Sequence, residues 1–368
     1  MNVGYLIGTF GRGGAETMLL RQLEHGVGER VVFRLGGADD LEADFRAAGA
    51  TTVNLEVGSV VDLRALNRAR RTIARYDLDV LHAHLPHAMV VARLAGRAAG
   101  VDAVVSTHHN VLASADYRSI STLERATRPL DSHEVAVSEA VRESQATVFD
   151  RPPWSVVYNG IDVAGFRDAV RSATPPSLPG DDGAGPTFLN VGRYDPQKGQ
   201  KYLVEAMSSV VRERPDARAV VVGHGAEQAA LERLVRARDL TESVHVTGKV
   251  DDVHGYYAAA DVYVMPSLFE GLPLTALEAM AAELPVVGTR VPGVEEVLTD
   301  GVGRLVPARS PERLAAAMLS LADEDLSAAG ARAYDHVERR FDIQTLVDAH
   351  ERLYERLVGT RTVPTPPE

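Results

Sequence analysis

The chain has 368 residues, 45% hydrophobic and 24% charged, which is the composition of a soluble globular protein long enough for two separate cores. A net charge of −12 excludes a general nucleic-acid binder, which needs a basic face. The absence of cysteine excludes disulfides, thiolate nucleophiles and Cys-based metal sites. Residues 1–172 hold 19 basic and 21 acidic side chains (net −2), leaving 20 basic and 30 acidic (net −10) to the rest, so the N-terminal half is free to meet an anionic surface.

The first residues, Met1-Asn-Val-Gly-Tyr-Leu-Ile7, have no basic segment followed by a long apolar run and read as a strand, not a signal peptide. Short β-rich runs then alternate with helical patterns: Val3–Ile7, Val31–Leu35, Val80–His84, Ala103–Thr107 and Glu134–Val137. The rhythm resumes at Thr187–Val191, Arg218–Val222, Ser243–Val246, Val262–Met265 and Pro285–Val287. Such alternation predicts parallel sheets built from βαβ units. After the first strand, Gly8-Thr-Phe-Gly-Arg-Gly13-Gly14-Ala-Glu16 is either a simple βα turn or a backbone cradle at a helix start, where an anion can sit. Asp62–Arg75 predicts a helix with five arginines and an apolar stripe at Leu63, Leu66 and Ile73. A basic amphipathic helix can lie on an anionic membrane, but an Arg-rich outer face is more often only solvated. His82, His84 and His87 have no nearby carboxylate triad or cysteine and read as cleft-lining or structural. His108 and His109 follow the strand ending at Thr107.

Ser172–Pro186, rich in Pro, Gly and Asp, reads as a linker. Beyond it, Gly192-Arg193-Tyr-Asp-Pro-Gln-Lys198-Gly199 places two cations on one loop, where they can clamp a diphosphate. Only three of the 39 basic residues are lysine (Lys198, Lys201, Lys249), so a lysine at this position stands out. The most telling segment is Ser267-Leu-Phe-Glu270-Gly-Leu-Pro-Leu-Thr-Ala-Leu-Glu278-Ala-Met-Ala281. Pro273 can occupy the first helical position, and Leu274, Leu277, Ala281 and Leu284 recur at helical spacing. Glu270 then precedes the helix and Glu278 lies about a turn inside it. Two carboxylates flank an N-terminus suited to phosphate, which is the chemistry of a nucleotide sugar.

This Glu–seven residues–Glu pattern, preceded by Gly13-Gly14-Ala-Glu16, Thr107-His108-His109 and Gly192-Arg193…Lys198-Gly199, resembles the retaining family 4 glycosyltransferases. The resemblance covers nearly the whole chain. It implies the GT-B fold, α/β, with two Rossmann-like doubly wound domains facing each other across a cleft. Residues 1–172 would form the acceptor-binding domain, 173–186 the linker and 187–342 the nucleotide-sugar-binding domain. Residues 343–368 would supply a helix crossing back to the first domain, then a disordered tail. His109 would lie near the reacting sugar, with His108 the alternative if the alignment slips by one. Arg193 and Lys198 would stabilise the leaving diphosphate, Glu270 would meet the sugar's hydroxyls and Glu278 the ribose. Gly13, Gly14, Gly192, Leu272, Leu274 and Thr275 would approach the donor through their backbones, and Lys249 the base. Glu16, His84 and His108 would face the acceptor.

The function so implied is metal-independent transfer of a hexosyl unit from a nucleotide diphosphate sugar, with retained configuration. UDP-sugars are favoured and GDP-mannose comes next. The expected acceptor is a hydroxyl of a lipid-linked sugar or a polysaccharide. No cofactor or metal is expected. Asp77-Leu-Asp79 and Asp323-Glu-Asp325, the only Asp-x-Asp patterns, lack a cleft-side context. No apolar run of about 18 residues occurs, so the expected location is cytoplasmic, with peripheral contact to the inner face of a membrane through Arg64–Arg75 as the further option. The alternatives are a GT-B nucleotide-sugar epimerase, which needs no acceptor, a pyridoxal-dependent phosphorylase, and a non-catalytic sugar-nucleotide-binding subunit.

Overall fold

The computed structural model describes residues 1–111, 121–146, 154–178, 185–299 and 301–359. The chain divides into two units, Met1–Gly160 together with the C-terminal segment from Ile343, and Ile161–Asp342. The first unit holds strands β1 (Val3–Ile7), β2 (Arg30–Arg34), β3 (Ala50–Asn54), β4 (Val80–His84), β5 (Ala103–His108), β6 (His133–Ala136) and β7 (Trp154–Val156). They pair in the order β3-β2-β1-β4-β5-β6-β7, every neighbour parallel. The second unit holds β8 (Thr187–Val191), β9 (Arg218–Val222), β10 (Val244–Val246), β11 (Val262–Met265), β12 (Val286–Thr289) and β13 (Gly303–Val306), in the parallel order β10-β9-β8-β11-β12-β13.

Each sheet reverses its winding once, beside β1 and β4 in the first unit and beside β8 and β11 in the second. In doubly wound sheets the carboxyl ends of the strands at that reversal form the ligand edge. β1, β4, β5 and β9 are buried along their whole length, and each reads in the sequence as a short run dominated by apolar residues, interrupted by His82 and His84 in β4, closed by Ser106, Thr107 and His108 in β5 and opened by Arg218 in β9. Three strands were not legible there: β3, β7 and β13. All are edge strands with half-buried residues, so none carries such a run.

The division falls at Gly160, earlier than the expected boundary at 172. The Val163–Ser172 helix belongs to the second unit because Phe166 packs edge-on to Tyr257 (5.3 Å) and against His254 (5.0 Å). Arg167 lies over the Tyr334 ring at 4.2 Å and Arg171 binds Glu283 at 3.0 Å. The expected linker also begins packed, since the Thr174 carbonyl crowds Gly255 and Leu178 is buried. Residues 179–184 lie outside the described residues, as does the expected tail 360–368.

The Ile343–Gly359 helix packs on the first unit against the Gly14–His25 helix, held by Arg30–Glu351 (2.6 Å) and by His82 Nδ1 with Tyr354 Oη (2.6 Å). On the Leu63–Ile73 helix the expected apolar stripe is only partly correct. Ala65, Ala69 and Ile73 make the buried face at four-residue spacing, whereas Leu63 is 79% exposed and Val61, just before the helix, 72%. Both Asp-x-Asp pairs serve local structure. Asp79 accepts from the Asn2 amide, Asp325 caps the Leu326–Phe341 helix and Asp323 pairs with Arg214. No helix among the described residues is long and apolar enough to cross a membrane.

Candidate active site

The expected site residues fall into two groups, one in each unit. In the second unit, the loop after β8 turns at Gly192 and runs through a short 3₁₀ turn, Pro196–Lys198, capped by the Asp195 side chain. Gly199 follows with φ +64°, and a Cβ there would lie 2.2 Å from the Pro266 carbonyl oxygen, so only glycine lets this loop touch the segment after β11. That seam is bonded twice more, Leu268 N donating to Gln197 O (2.7 Å) and Gln197 Nε2 to Phe269 O (3.0 Å). Lys198 is thereby delivered to Glu270, with Nζ 2.8 Å from Oε1. The lysine stem passes 3.8 Å from the position a Gly192 side chain would take, an ordinary van der Waals distance.

Glu270 is buried, at 5% exposure, and Ser267 Oγ donates to the same Oε1 at 2.6 Å. Thr289 on β12 fixes Ser267 in turn, its hydroxyl donating to the Ser267 carbonyl at 2.5 Å. The Leu274–Ala281 helix starts immediately afterwards, with Pro273 as its N-cap and not its first residue. Its first internal donors are the amides of Ala276 and Leu277, both to Pro273 O, so those of Leu274 and Thr275 stand ahead of the ladder, where an anion binds well. Leu277, Ala281 and Leu284 are buried as expected, while Leu274 is half-buried at the helix mouth. One turn in, Glu278 accepts from Tyr257 Oη at 3.1 Å. Arg193 and Lys249 are exposed, and Leu272 is buried. The turn before Lys249 is fixed from inside by Tyr194, which donates to Val221 O and accepts from Gly248 N.

In the first unit, Gly13 caps the Gly14–His25 helix, and a Cβ on it would lie 2.3 Å from the Glu16 carboxylate. Glu16 is buried there, folded back over the loop. His84 ends β4 and His109 follows β5, with His84 Nδ1 3.0 Å from His109 Nε2. His109 is half-buried and His84 fully buried. The expectation that His108 faces an acceptor is corrected. As the last residue of β5 it points to the other side from His109, where it is fully buried and its Nε2 lies 2.8 Å from Glu134 Oε2. Arg128 Nη2 binds the same oxygen at 2.6 Å, and Arg93 pairs with Asp131 at 2.7 Å. Burial raises the pKa of Glu134, but His108 and Arg128 outweigh it and hold the carboxyl at about 2.

His82 lies beside His84, with ring centroids 4.5 Å apart, and is fixed by Tyr354 and by Thr107 Oγ1 at 2.5 Å. His350 packs edge-on to His82 at 5.0 Å, while His87 is exposed. No three His, Asp or Glu side chains among the described residues converge as metal ligands. Burial, then the neighbouring imidazoles, lowers His82 and His84 well below the usual range and His109 to about 3. Burial alone takes His350 to about 4. These rings are neutral in the fold but charge near pH 6.5 when unfolded, so stability present above pH 6.5 is lost as pH falls toward 4. For His350 alone the loss at pH 5 is about 2 kcal/mol. Asp131, raised by burial to about 6 against the pull of Arg93, opposes this below pH 6. Urea unfolding followed by the single tryptophan, Trp154, should show a lower midpoint at pH 5 than at pH 7. Equal midpoints would contradict the buried neutral cluster.

Residues 12–164 match the model of glycosyltransferase family 4, and residues 185–324 that of glycosyl transferases group 1. A phosphatidyl-myo-inositol mannosyltransferase of Mycolicibacterium smegmatis is 34% identical over 333 residues, covering 86% of this chain and 82% of that protein. The chain belongs to the family 4 glycosyltransferases. Another relative is the GDP-mannose-dependent monoacylated alpha-(1-6)-phosphatidylinositol monomannoside mannosyltransferase of Corynebacterium glutamicum. It is 31% identical over 264 residues and covers 68% of each chain. In fold, this glycosyltransferase is similar to Anabaena HepE in complex with UDP and glucose. The TM-score is 0.81 at 22% identity, over 96% of this chain and 99% of that one. Its two parallel sheets are those of the GT-B class.

Sequence reading of this glycosyltransferase did not single out four residues that position its candidate site. Ser267 and Thr289 hold Glu270, Gln197 ties the Lys198 loop to the Glu270 turn, and Tyr257 holds Glu278. Ser267, three residues before Glu270, had a signal in its spacing. Tyr257 and Thr289 reach the site from other elements and had none.

Proposed function

We propose that this glycosyltransferase is retaining and metal-independent, and that it moves a mannosyl unit from GDP-mannose to a hydroxyl of a phosphatidylinositol-type lipid. The observation that carries the reading is the Lys198–Glu270 pair, 2.8 Å apart, at the mouth of the Leu274–Ala281 helix. The helix start and Lys198 receive the diphosphate, with Arg193 on the same loop. Their charge stabilises the phosphate as the glycosidic bond breaks. Glu270 orients the sugar through its hydroxyls, and Glu278, already aimed by Tyr257, meets the ribose. The family resemblance gives His109 the role of binding a hydroxyl of the transferred sugar. The acceptor attacks the face the diphosphate leaves, and the departing phosphate oxygen takes its proton. No side chain then serves as a covalent nucleophile.

Support for mannose and an inositol lipid comes from the two bacterial relatives, one of them GDP-mannose-dependent, and on that ground we prefer GDP-mannose to UDP-sugars. Peripheral contact with an anionic membrane is supported by exposed Val61 and Leu63 beside Arg64, Arg68, Arg71 and Arg75.

The test incubates the full chain with GDP-mannose or UDP-glucose and vesicles containing phosphatidylinositol, with and without EDTA, and reads the product by NMR. GDP-mannose should give a lipid product with the donor's anomeric configuration, unchanged by EDTA, and the chain should float with the vesicles. GDP at 100 times its dissociation constant should stabilise the chain by about 2.7 kcal/mol. An inverted product, or loss with EDTA restored by magnesium, would overturn the mechanism. A response to UDP alone would return the donor to the UDP-sugars.

A further inference from the structure

His84 and His109 present an unusual pairing, two buried or half-buried imidazoles bonded to each other. His84 Nδ1 and His109 Nε2 lie 3.0 Å apart; His84 ends β4, in register with Thr107 of the adjacent β5, and His109 is the first residue after β5. A neutral imidazole has one N–H and one lone pair, so one ring must donate and the other accept. The remaining nitrogen of His84 decides which. Its Nε2 is buried with no hydrogen-bond partner. If His84 accepted, its one proton would sit on that nitrogen as a buried donor with nothing to bond. If it donates, the orphan is a lone pair, which folded proteins tolerate more often than an orphaned N–H.

The neighbouring rings offer His84 no other partner. The His84 ring is held between His82, with centroids 4.5 Å apart, and the stacked Tyr5 ring at 6.3 Å. His82 spends both of its nitrogens on Tyr354 and Thr107 and has none for His84.

We propose that His84 is a positioning residue for His109. Its Nδ1–H donates to His109 Nε2 and thereby keeps the single proton of His109 on Nδ1. The consequence for chemistry rests on the reading of His109 as the group beside the transferred sugar. With Nε2 occupied, His109 meets a sugar hydroxyl only through Nδ1–H, as a donor. It therefore binds a hydroxyl oxygen and cannot act as a base toward it. Burial of both rings, which lowers their pKa values, keeps the pair neutral near pH 7.

The test is a long-range ¹H–¹⁵N correlation on the full chain labelled with ¹⁵N-histidine, at pH 7, with His109 assigned by the loss of its signals in His109→Gln. The expected spectrum shows His109 with a protonated Nδ1 and a bare Nε2. In His84→Leu the His109 signals should move toward the Nε2–H form. That variant should lose about tenfold in kcat, with little change in KM for the donor. His84→Asn, whose amide N–H can take the place of Nδ1–H, should recover most of that loss. An Nε2–H tautomer at His109 in the unaltered chain would overturn the proposal, and so would equal losses in the Asn and Leu variants. Should no nucleotide sugar be turned over, the glycosyl-transfer reading fails, and the tautomer of His109 still decides this one.

Discussion

Replacing Glu270 with alanine is expected to slow sugar transfer about 100-fold or more while leaving the chain folded. The magnitude is that of losing one electrostatic contact made in the transition state. The carboxylate is buried and shared between Lys198 at 2.8 Å and Ser267 at 2.6 Å, so it is oriented before any ligand arrives. Its loss removes the partner for the sugar hydroxyls and also lets Lys198 swing away from the helix mouth. Lys198→Ala should cost a similar factor. The double variant should fall well short of the product of the two, because the residues act as a unit. Initial rates at saturating donor decide this. A rate for Glu270→Ala within tenfold of the unaltered chain would remove this pair from the site.

The largest effect on stability is expected from Glu134→Leu. The substitution takes from Arg128 and His108, both fully buried, the carboxylate nearest to each, although Arg128 keeps Glu124 at 3.7 Å. Removing one partner of a buried ion pair costs about 3–5 kcal/mol, whereas replacing both with apolar residues can be nearly neutral. Arg128→Met combined with Glu134→Leu should therefore recover much of the loss. Trp154 lies 5.3 Å from both Arg128 and the His108 ring, so its fluorescence in urea reports this network directly. A single-variant loss below about 1 kcal/mol would show that the network does not hold the first unit together.

The sheets were legible wherever a strand is covered on both faces, because burial there demands apolar residues at successive positions. Val3–Ile7 and, from Ala219 on, Arg218–Val222 show it, whereas Trp154–Val156 at an edge does not. Glycines and charges at fixed offsets made the Lys198 loop and the Glu270 turn legible, since both are local. The choice between His108 and His109 was harder, because adjacent residues at a strand end face opposite ways. The strand ends at His108 and not at Thr107, and a one-residue difference in its end is not written in local propensity. Leu63 was assigned to the core face from its period alone. Ala65 and Ala69, both buried, take that face together with Ile73. The network around His82 and Tyr354 joins residues 272 positions apart, and no window of sequence could have contained it.

That same separation bears on how the protein is made. Ile161 donates its amide to Phe341 O at 3.0 Å and pairs with Asp342, so the second unit begins and ends at one knot of backbone. It is one uninterrupted stretch of chain inserted into the first unit. During synthesis from the N-terminus the second unit can close as soon as its own residues emerge, whereas the first must wait for the Ile343–Gly359 helix, made after it. The domain begun first is thus finished last. Until that helix arrives, His82 and the buried polar seam beneath it lack their Tyr354 partner, and a nascent or truncated chain ending before residue 343 carries that seam uncovered.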